Sequence, residues 1–304
     1  MHSRYGSVHI FTAFMIAFTI LFVTGCATTH KSSTARKVVP AVKSADGSPI
    51  AYGVQGKGDI TIVFVHGWAC NHLFWEPQIA HFSKTHKVVW LDLAGHGYSG
   101  SKRRDYTMRA FGEDVAAVAR KVAGDNIILV GHSMGGPVSI EAADLLGERV
   151  LGIVGVDIFF TGLGLPDSEQ GISELMKPFE DDFLATSEKF ARSMFNPQAD
   201  PRLVESIAGI MSGADKKMAI SALRETLQWL NRNTSSLPTP SVPGKHLAKL
   251  RNINGTRAAT SADGKTATHK NVITIPDVNH FVAQVKPDAF NRALEKIISE
   301  YRSF

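Results

Sequence analysis

The chain has 304 residues, 44% of them hydrophobic and 20% charged, which is typical of a globular protein with a large apolar core. Its formal net charge is +5, and its basic residues are scattered along the sequence. A modest and dispersed charge excludes the basic stripe of a nucleic-acid-binding protein, so we expect no nucleic-acid partner.

The N-terminal segment has the layout of a targeting signal. Arg4 precedes an apolar stretch, residues 10–23, that is too short to span a bilayer comfortably. The stretch ends in VTGCAT, whose small residues directly before Cys26 resemble a bacterial lipoprotein signal. The resemblance implies removal of residues 1–25 and attachment of a lipid to the Cys26 thiol. An ordinary secretory signal and an N-terminal membrane anchor are the alternatives.

A chain that carries such a lipid belongs in the bacterial cell envelope. Ala27 after the cysteine implies, by the same resemblance, the periplasmic face of the outer membrane. Residues 26–37 are polar and aperiodic, which predicts a flexible tether between the membrane and the folded domain. Cys70 is then the remaining thiol, and we expect it to be a small buried residue.

The folded part begins at about residue 38 with alternating apolar runs and turns. The sequences on either side of SADG, residues 44–47, predict an antiparallel hairpin. Four runs rich in Val and Ile follow: DITIVFVHG, HKVVWLDLAG, DNIILVGHS and RVLGIVGVD. Continuous apolar runs of this kind are typical of strands that are buried on both faces of a parallel sheet.

Segments with helical spacing separate these strands. Helices are predicted over 106–123 and from about Met134 to Leu146, so strands and helices alternate as in βαβ units. Two more strands, which bring the total to eight, and a final helix close the chain: LRNING, NVITIPDV and residues 287–302.

The alternation stops between residues 162 and 236. Three stretches there have helical spacing: PFEDDFLATSEKFARSMF, DPRLVESIAGIMSG and DKKMAISALRETLQWL. A Pro-rich linker, residues 235–244, leads back toward the sheet. We therefore predict a helical cap over a core built from residues 38–161 and 237–304.

One predicted strand ends in a serine that stands between glycines. Gly131, His132, Ser133, Met134 and Gly135 match G-x-S-x-G, a tight strand-to-helix turn that projects the serine hydroxyl. No Lys-Ser or Lys-Thr pair completes a phosphate-binding loop here. We therefore predict that Ser133 is a nucleophile, which requires a base to take its proton.

The base is expected among the twelve histidines of the chain. His280 directly follows the last predicted strand, and a histidine placed late in the chain fits the order of such sites. His132 abuts the serine but is expected to point away from it. His66 and His96 are expected to have structural roles in their loops.

Four short motifs occur in a recognisable order: HGW, DLAGHGYS, GHSMGG and VNHF. Together they resemble the α/β-hydrolase fold superfamily, in its cap-bearing esterase and lipase-like branch, over residues 38–302. The resemblance implies a mostly parallel eight-stranded sheet flanked by helices, with a helical cap inserted after strand 6. It also implies that neither a metal nor an organic cofactor takes part.

Two backbone N–H groups are expected to stabilise the oxyanion. One belongs to Met134, directly after the nucleophile. The family resemblance assigns the other to Trp68, in the loop after the third strand. The side chain of Trp68 is expected in the core or in a pocket wall.

The carboxylate that orients His280 is less clearly marked. Most members of the family place it after the seventh strand, where this chain has Thr256, and Asp263 is the first carboxylate beyond it. In a family variant the acid ends the sixth strand, where Asp157 stands. We predict Asp157 as the acid, with Asp263 as the alternative. Two other aspartates are expected to be structural or to face away from the ring: Asp92 and Asp277.

These residues predict a serine hydrolase that acts on a small carboxylic ester or related acyl substrate through an acyl-enzyme intermediate. Members of the superfamily with an aspartate nucleophile are excluded by Ser133. The alternative is a non-catalytic ligand-binding protein of the same fold, which the unusual acid region suggests. Four apolar residues either wall an acyl pocket or form the core of the cap: Phe179, Phe183, Phe190 and Met194.

Overall fold

The computed structural model describes residues 39–159, 166, 168–234, 248–256 and 270–302. The predicted signal, the tether, Cys26 and Asp263 lie outside these described residues, so the hypotheses about them stay predictions. Within the described ranges, no helix is long and apolar enough to cross a bilayer.

An eight-stranded sheet of described residues forms the centre of the domain. In chain order its strands are β1 (Ala41–Lys43), β2 (Pro49–Gln55), β3 (Ile60–Val65), β4 (Lys87–Leu91), β5 (Asn126–His132), β6 (Val150–Val156), β7 (Leu250–Gly255) and β8 (Val272–Ile275). They are arranged as β1-β2-β4-β3-β5-β6-β7-β8. β2 pairs antiparallel with β1 and with β4, and the other neighbours are parallel. The mostly parallel sheet and its N-terminal hairpin are thus confirmed.

The central strands are buried on both faces. Every residue of β3 is buried, and alternate residues pack into two separate apolar clusters. Val63 and Val65 belong to one cluster, and Ile62 and Phe64 belong to the other. Because successive side chains of a strand point to opposite faces, the sheet is covered on both sides, as the continuous Val and Ile runs predict.

Helices from the core segments cover the sheet. They are α1 (Glu76–Phe82), α2 (Met108–Val122), α3 (Gly135–Leu146), the single turn Val282–Val285 and the C-terminal helix Pro287–Tyr301. Short 3-10 helices span His72–Trp75 and Gly147–Arg149. The longer helices agree with the predicted ranges to within two residues. The sequence did not predict α1 or the single turn, because such short helices contain too few turns to show a period.

Between β6 and β7, the described residues form four helices of the cap: α4 (Glu169–Asp181), α5 (Phe183–Ser193), α6 (Pro201–Ser212) and α7 (Lys216–Thr234). The stretch PFEDDFLATSEKFARSMF, predicted to be helical, is divided between α4 and α5. Asp182 breaks it, because its backbone is extended and its carboxylate accepts a hydrogen bond of 3.2 Å from the Ala185 N–H. Aspartate is a preferred N-cap residue, so this position begins a new helix.

α7 attaches the cap to the core. The helical spacing of DKKMAISALRETLQWL places Ile220, Leu223, Leu227 and Leu230 on one face; the three leucines are buried and Ile220 is half-buried. Fully burying one leucine side chain contributes about 1.5–3 kcal/mol. In addition, Trp229 Nε1 donates to Glu141 Oε1 of α3 at 2.8 Å. The cap is therefore held to the core by apolar packing and by a directed hydrogen bond.

Candidate active site

The serine between glycines lies on a strained turn. Ser133 has a φ of +52° and connects the end of β5 to the start of α3. Its N–H donates to the Val156 carbonyl at 2.9 Å, and its carbonyl accepts from the Gly136 N–H at 2.8 Å. A non-glycine residue in this region costs about 1–3 kcal/mol and persists only where its surroundings enforce it. Here the neighbouring strand and the helix enforce it.

The flanking glycines are required by close backbone approaches. A Cβ at Gly135 would lie 2.5 Å from the Val65 carbonyl oxygen, and a Cβ at Gly131 would collide with the Gly135 carbonyl oxygen. Neither glycine has a positive φ, so the requirement is for space. The spacing of the motif therefore has a steric cause.

The loop after β3 passes directly beside the serine. A Cβ at Gly67 would lie 3.3 Å from the Ser133 Cβ. The N–H groups of Trp68 and Met134, the predicted oxyanion donors, make no hydrogen bond to any described residue. Met134 also precedes the first turn of α3, where the helix dipole favours negative charge.

His66 holds this loop to its neighbour. Its Nδ1–H donates to the Gly67 carbonyl at 2.9 Å, and its Nε2 accepts from the Leu93 N–H at 3.0 Å. Burial lowers the pKa of His66, which keeps the ring neutral and able to accept. The ring lies 4.9 Å from that of His96, which is also buried. His66 therefore holds the loop after β3 to the loop after β4, and the His96 ring packs beside it.

Asp157 and His280 meet at the carboxyl edge of the sheet. His280 Nδ1 donates to Asp157 Oδ2 at 2.8 Å, and both side chains are buried. The Gly255 N–H donates to Asp157 Oδ1 at 3.1 Å. With Nδ1 bonded to the carboxylate, the proton of the neutral ring lies on that atom, and Nε2 is left as an acceptor. Asp157 also has a positive φ, +48°, directly after β6.

Two asparagines, which the sequence reasoning missed, support the turn that carries Asp157. Asn252 and Asn254, both buried on β7, donate from their Nδ2 atoms to the Phe159 carbonyl at 2.6 and 3.0 Å. The sequence LRNING could have indicated them, because its two asparagines stand two positions apart and therefore lie on the same face of a buried strand. Polar residues in such a strand need buried partners.

His132 contacts the histidine loop. Its Nε2–H donates to the His280 carbonyl at 3.0 Å, and the two rings are 4.7 Å apart. Burial lowers the pKa of His132 to about 3, so the ring is neutral at ordinary pH. This bond places His280 beside the elbow, because His132 precedes Ser133 in the chain.

Among the described residues, the side chains of Asp92, Asp277 and Cys70 make no hydrogen bond or ion pair with the His280 ring. Asp92 is buried, and although burial alone raises its pKa, hydrogen bonds from His72 and Tyr98 bring that pKa below the ordinary value. Asp277 is exposed and lies 3.7 Å from Lys286 Nζ. The Cys70 thiol is buried, and burial raises its pKa.

The structure therefore brings Asp157 and His280 together and places His280 next to the serine elbow. Among the described residues, Ser133 Oγ makes no hydrogen bond, to His280 or to any other residue. Catalytic hydrogen bonds of this kind commonly tighten only when substrate is bound. Within the same residues, no group of three His, Cys, Asp or Glu side chains could hold a metal ion.

Comparison with known proteins agrees with this architecture. The model of the alpha/beta hydrolase fold family matches residues 60–252. The 2-(acetamidomethylene)succinate hydrolase of Mesorhizobium japonicum is 25% identical over 265 residues, which are 84% of this chain and 94% of that protein. The pimeloyl-[acyl-carrier protein] methyl ester esterase of Aliivibrio salmonicida is 27% identical over 164 residues, 52% of this chain and 60% of that protein.

Solved structures share the fold at low identity. A thermophilic esterase from Thermogutta terrifontis superposes with a TM-score of 0.68 and 19% identity, over 87% of this chain and 99% of that chain. Est816, an N-acyl homoserine lactone degrading enzyme, has a TM-score of 0.64 and 23% identity, over 84% of this chain and 99% of that chain. Because the family model also spans well over half of the sequence, this protein belongs to the alpha/beta hydrolase fold family.

Proposed function

We propose that this hydrolase-fold protein is a serine hydrolase that cleaves carboxylic esters or related acyl compounds. The observation that carries the proposal is the buried hydrogen bond of 2.8 Å between His280 and Asp157. The bond lies at the sheet edge from which the strained turn raises Ser133. An oriented histidine beside such a serine is the arrangement that activation of a hydroxyl requires.

In the first half of the reaction, Ser133 Oγ attacks the substrate carbonyl carbon while His280 Nε2 takes the hydroxyl proton. Asp157 stabilises the imidazolium that forms. The N–H groups of Trp68 and Met134 hold the oxyanion, and each such donor contributes about 3 kcal/mol to transition-state stabilisation.

The tetrahedral intermediate then collapses. The bond between the carbonyl carbon and the leaving alcohol breaks, His280 gives its proton to that alcohol, and the acyl group stays on Ser133. In the second half, His280 takes a proton from water, and the resulting hydroxide attacks the acyl carbon. The bond to Ser133 breaks, its oxygen regains the proton, and the carboxylic acid leaves.

The aromatic residues of the cap support an apolar acyl group as substrate. The Trp68 ring packs edge-on against Phe179, Phe183 and Phe190, with ring centroids 5.6, 6.3 and 6.0 Å away. Phe179 and Phe183 are buried and form the cap core, whereas Phe190 is 37% exposed. Of these three phenylalanines, Phe190 is therefore the one with exposed surface to offer a substrate. The esterases among the relatives support esters as the first class to test.

A non-catalytic binding protein is the alternative function. The absence of an acid directly after the seventh strand suggested it. The hydrogen bond between Asp157 and His280 argues against it, because a buried carboxylate that orients a histidine has no evident use in a passive pocket.

Labelling with a fluorophosphonate probe separates the two functions. We expect the probe to label the wild type and to leave Ser133→Ala unlabelled. We also expect Ser133→Ala to reduce hydrolysis of a short-chain nitrophenyl ester by about 10⁴-fold or more. Ser299→Ala, on an exposed face of the C-terminal helix, is the matched control and should behave as wild type. A wild type that binds the ester without labelling or turnover would establish the binding protein instead.

A further inference from the structure

The backbone of His280 is held by two different parts of the chain. Its carbonyl accepts a hydrogen bond from His132 in the serine elbow. Its N–H donates to the Met194 carbonyl in the cap at 3.2 Å. Met194 is the C-cap residue of α5, and the last carbonyls of a helix have no partner inside the helix. The end of a cap helix thus contacts the proposed general base directly.

Two further contacts join the same cap segment to the histidine loop. The ring of Phe195 stacks on that of Phe281, with centroids 4.5 Å apart and an interplanar angle of 23°. Asn196 Nδ2 donates to the Asp277 carbonyl at 2.8 Å. Three consecutive cap residues therefore hold a loop that begins at Asp277 and ends at Phe281.

The loop needs such support because little of it is regular structure. Asp277 has a φ of +54°, and the next helical turn begins only at Val282. The carbonyls of Val278 and Asn279 pass so close to Gly255 that a Cβ there would collide with both. The position of the imidazole therefore depends on contacts from other parts of the chain.

We propose that the cap segment Met194–Asn196 positions the general base, with Asn196 as a positioning residue. The inference rests on the proposed function. Of the two hydrogen bonds from the segment, that of Met194 uses a backbone carbonyl, which a substitution does not remove. Asn196 supplies the other from its side chain, so its identity matters. Loss of this bond frees the start of the loop and lowers the fraction of molecules in which His280 is aligned with Ser133.

The test uses the full chain with Asn196→Ala and with Asn196→Asp, which keeps the shape but cannot donate. Thr186→Ala is the matched control, because the Thr186 hydroxyl donates at 2.9 Å to the Pro178 carbonyl inside the cap. We expect kcat for a nitrophenyl ester to fall about tenfold in both Asn196 variants, with KM unchanged, because the misaligned base affects the chemical step. The control should keep both constants.

A second readout does not depend on turnover. The Nδ1 proton shared by His280 and Asp157 should give a downfield proton resonance, assigned by its loss in His280→Gln. We expect this resonance to broaden or shift in both Asn196 variants and to stay unchanged in Thr186→Ala. An unchanged resonance, or a raised KM at constant kcat, would overturn the positioning role. If Ser133→Ala were fully active, the proposed function would fail, and the resonance would still decide this inference.

Discussion

The two halves of the site are held together by different forces. The serine half is one contiguous stretch, Gly131–Gly136, and it is shaped by backbone hydrogen bonds and by the lack of room for a Cβ. The acid and histidine half brings together side chains from distant parts of the chain. Asp157 and His280 are 123 positions apart, and Asn252 and Phe159 are 93 positions apart.

This difference indicates how each half can fail. A site shaped by backbone packing fails through steric collision, because close approaches of the main chain fix its geometry. A site held by buried polar side chains fails when one partner is removed or changes its protonation, since an unpaired buried polar group is costly. The two halves touch through His132, which belongs to the serine motif and bonds to the His280 carbonyl.

The largest effect is expected from Asp157, the proposed acid. Asp157→Asn should lower kcat/KM for a nitrophenyl ester by about 10³–10⁴-fold, because the amide favours the wrong tautomer of the histidine. Asp263→Asn is the matched substitution and should change little. If steady-state kinetics instead showed a large loss of kcat/KM in Asp263→Asn and little change in Asp157→Asn, the acid would be Asp263. Asp157 would then have no part in catalysis.

A smaller effect is expected from collision in the serine half. Gly135→Ala should lower the free energy of unfolding by about 1–3 kcal/mol, because its Cβ meets the Val65 carbonyl. Gly209→Ala on α6, where a Cβ has open space, should instead stabilise the protein by up to about 1 kcal/mol. Urea unfolding measures both values. If Gly135→Ala were as stable as wild type, the steric account of the motif would be wrong.

The smallest effect is the pH dependence of stability that arises from His132, the residue that connects the two halves. The pKa of His132 is about 3 in the folded protein against 6.5 for an unperturbed histidine, so between these values the unfolded chain binds more protons. The contribution of His132 to the free energy of unfolding is therefore fully present above pH 6.5, the pKa in the unfolded chain. It is lost as the pH falls from 6.5 toward 3. Lowering the pH from about 7 to about 5.5 should cost about 1 kcal/mol through His132.

His132→Gln tests this assignment, because glutamine keeps an N–H donor and does not titrate. Urea unfolding of the variant should show a pH dependence weaker by about 1 kcal/mol over the same range. Above about pH 7.5 the two proteins should respond to pH alike, since His132 is then neutral in both the folded and the unfolded state. Identical slopes below about pH 6.5 would mean that another group carries the dependence.

Much of the architecture was predictable because its signals are local. Continuous Val and Ile runs identify the buried strands, and helical spacing identifies α2, α7 and the C-terminal helix. Asp182 shows the limit of that reasoning. The apolar spacing of the neighbouring residues continues past it, and only the backbone shows that Asp182 ends one helix and caps the next.

The sequence by itself determined the serine elbow and its glycines, because a tight turn between a strand and a helix depends on residues that are adjacent in the chain. It proposed Asp157 and His280 without establishing that they meet. Only the tertiary structure decided that contact, together with the asparagines on β7 and the cap segment against the histidine loop. Each of these joins groups more than 80 positions apart, and such pairings follow from how the layers pack.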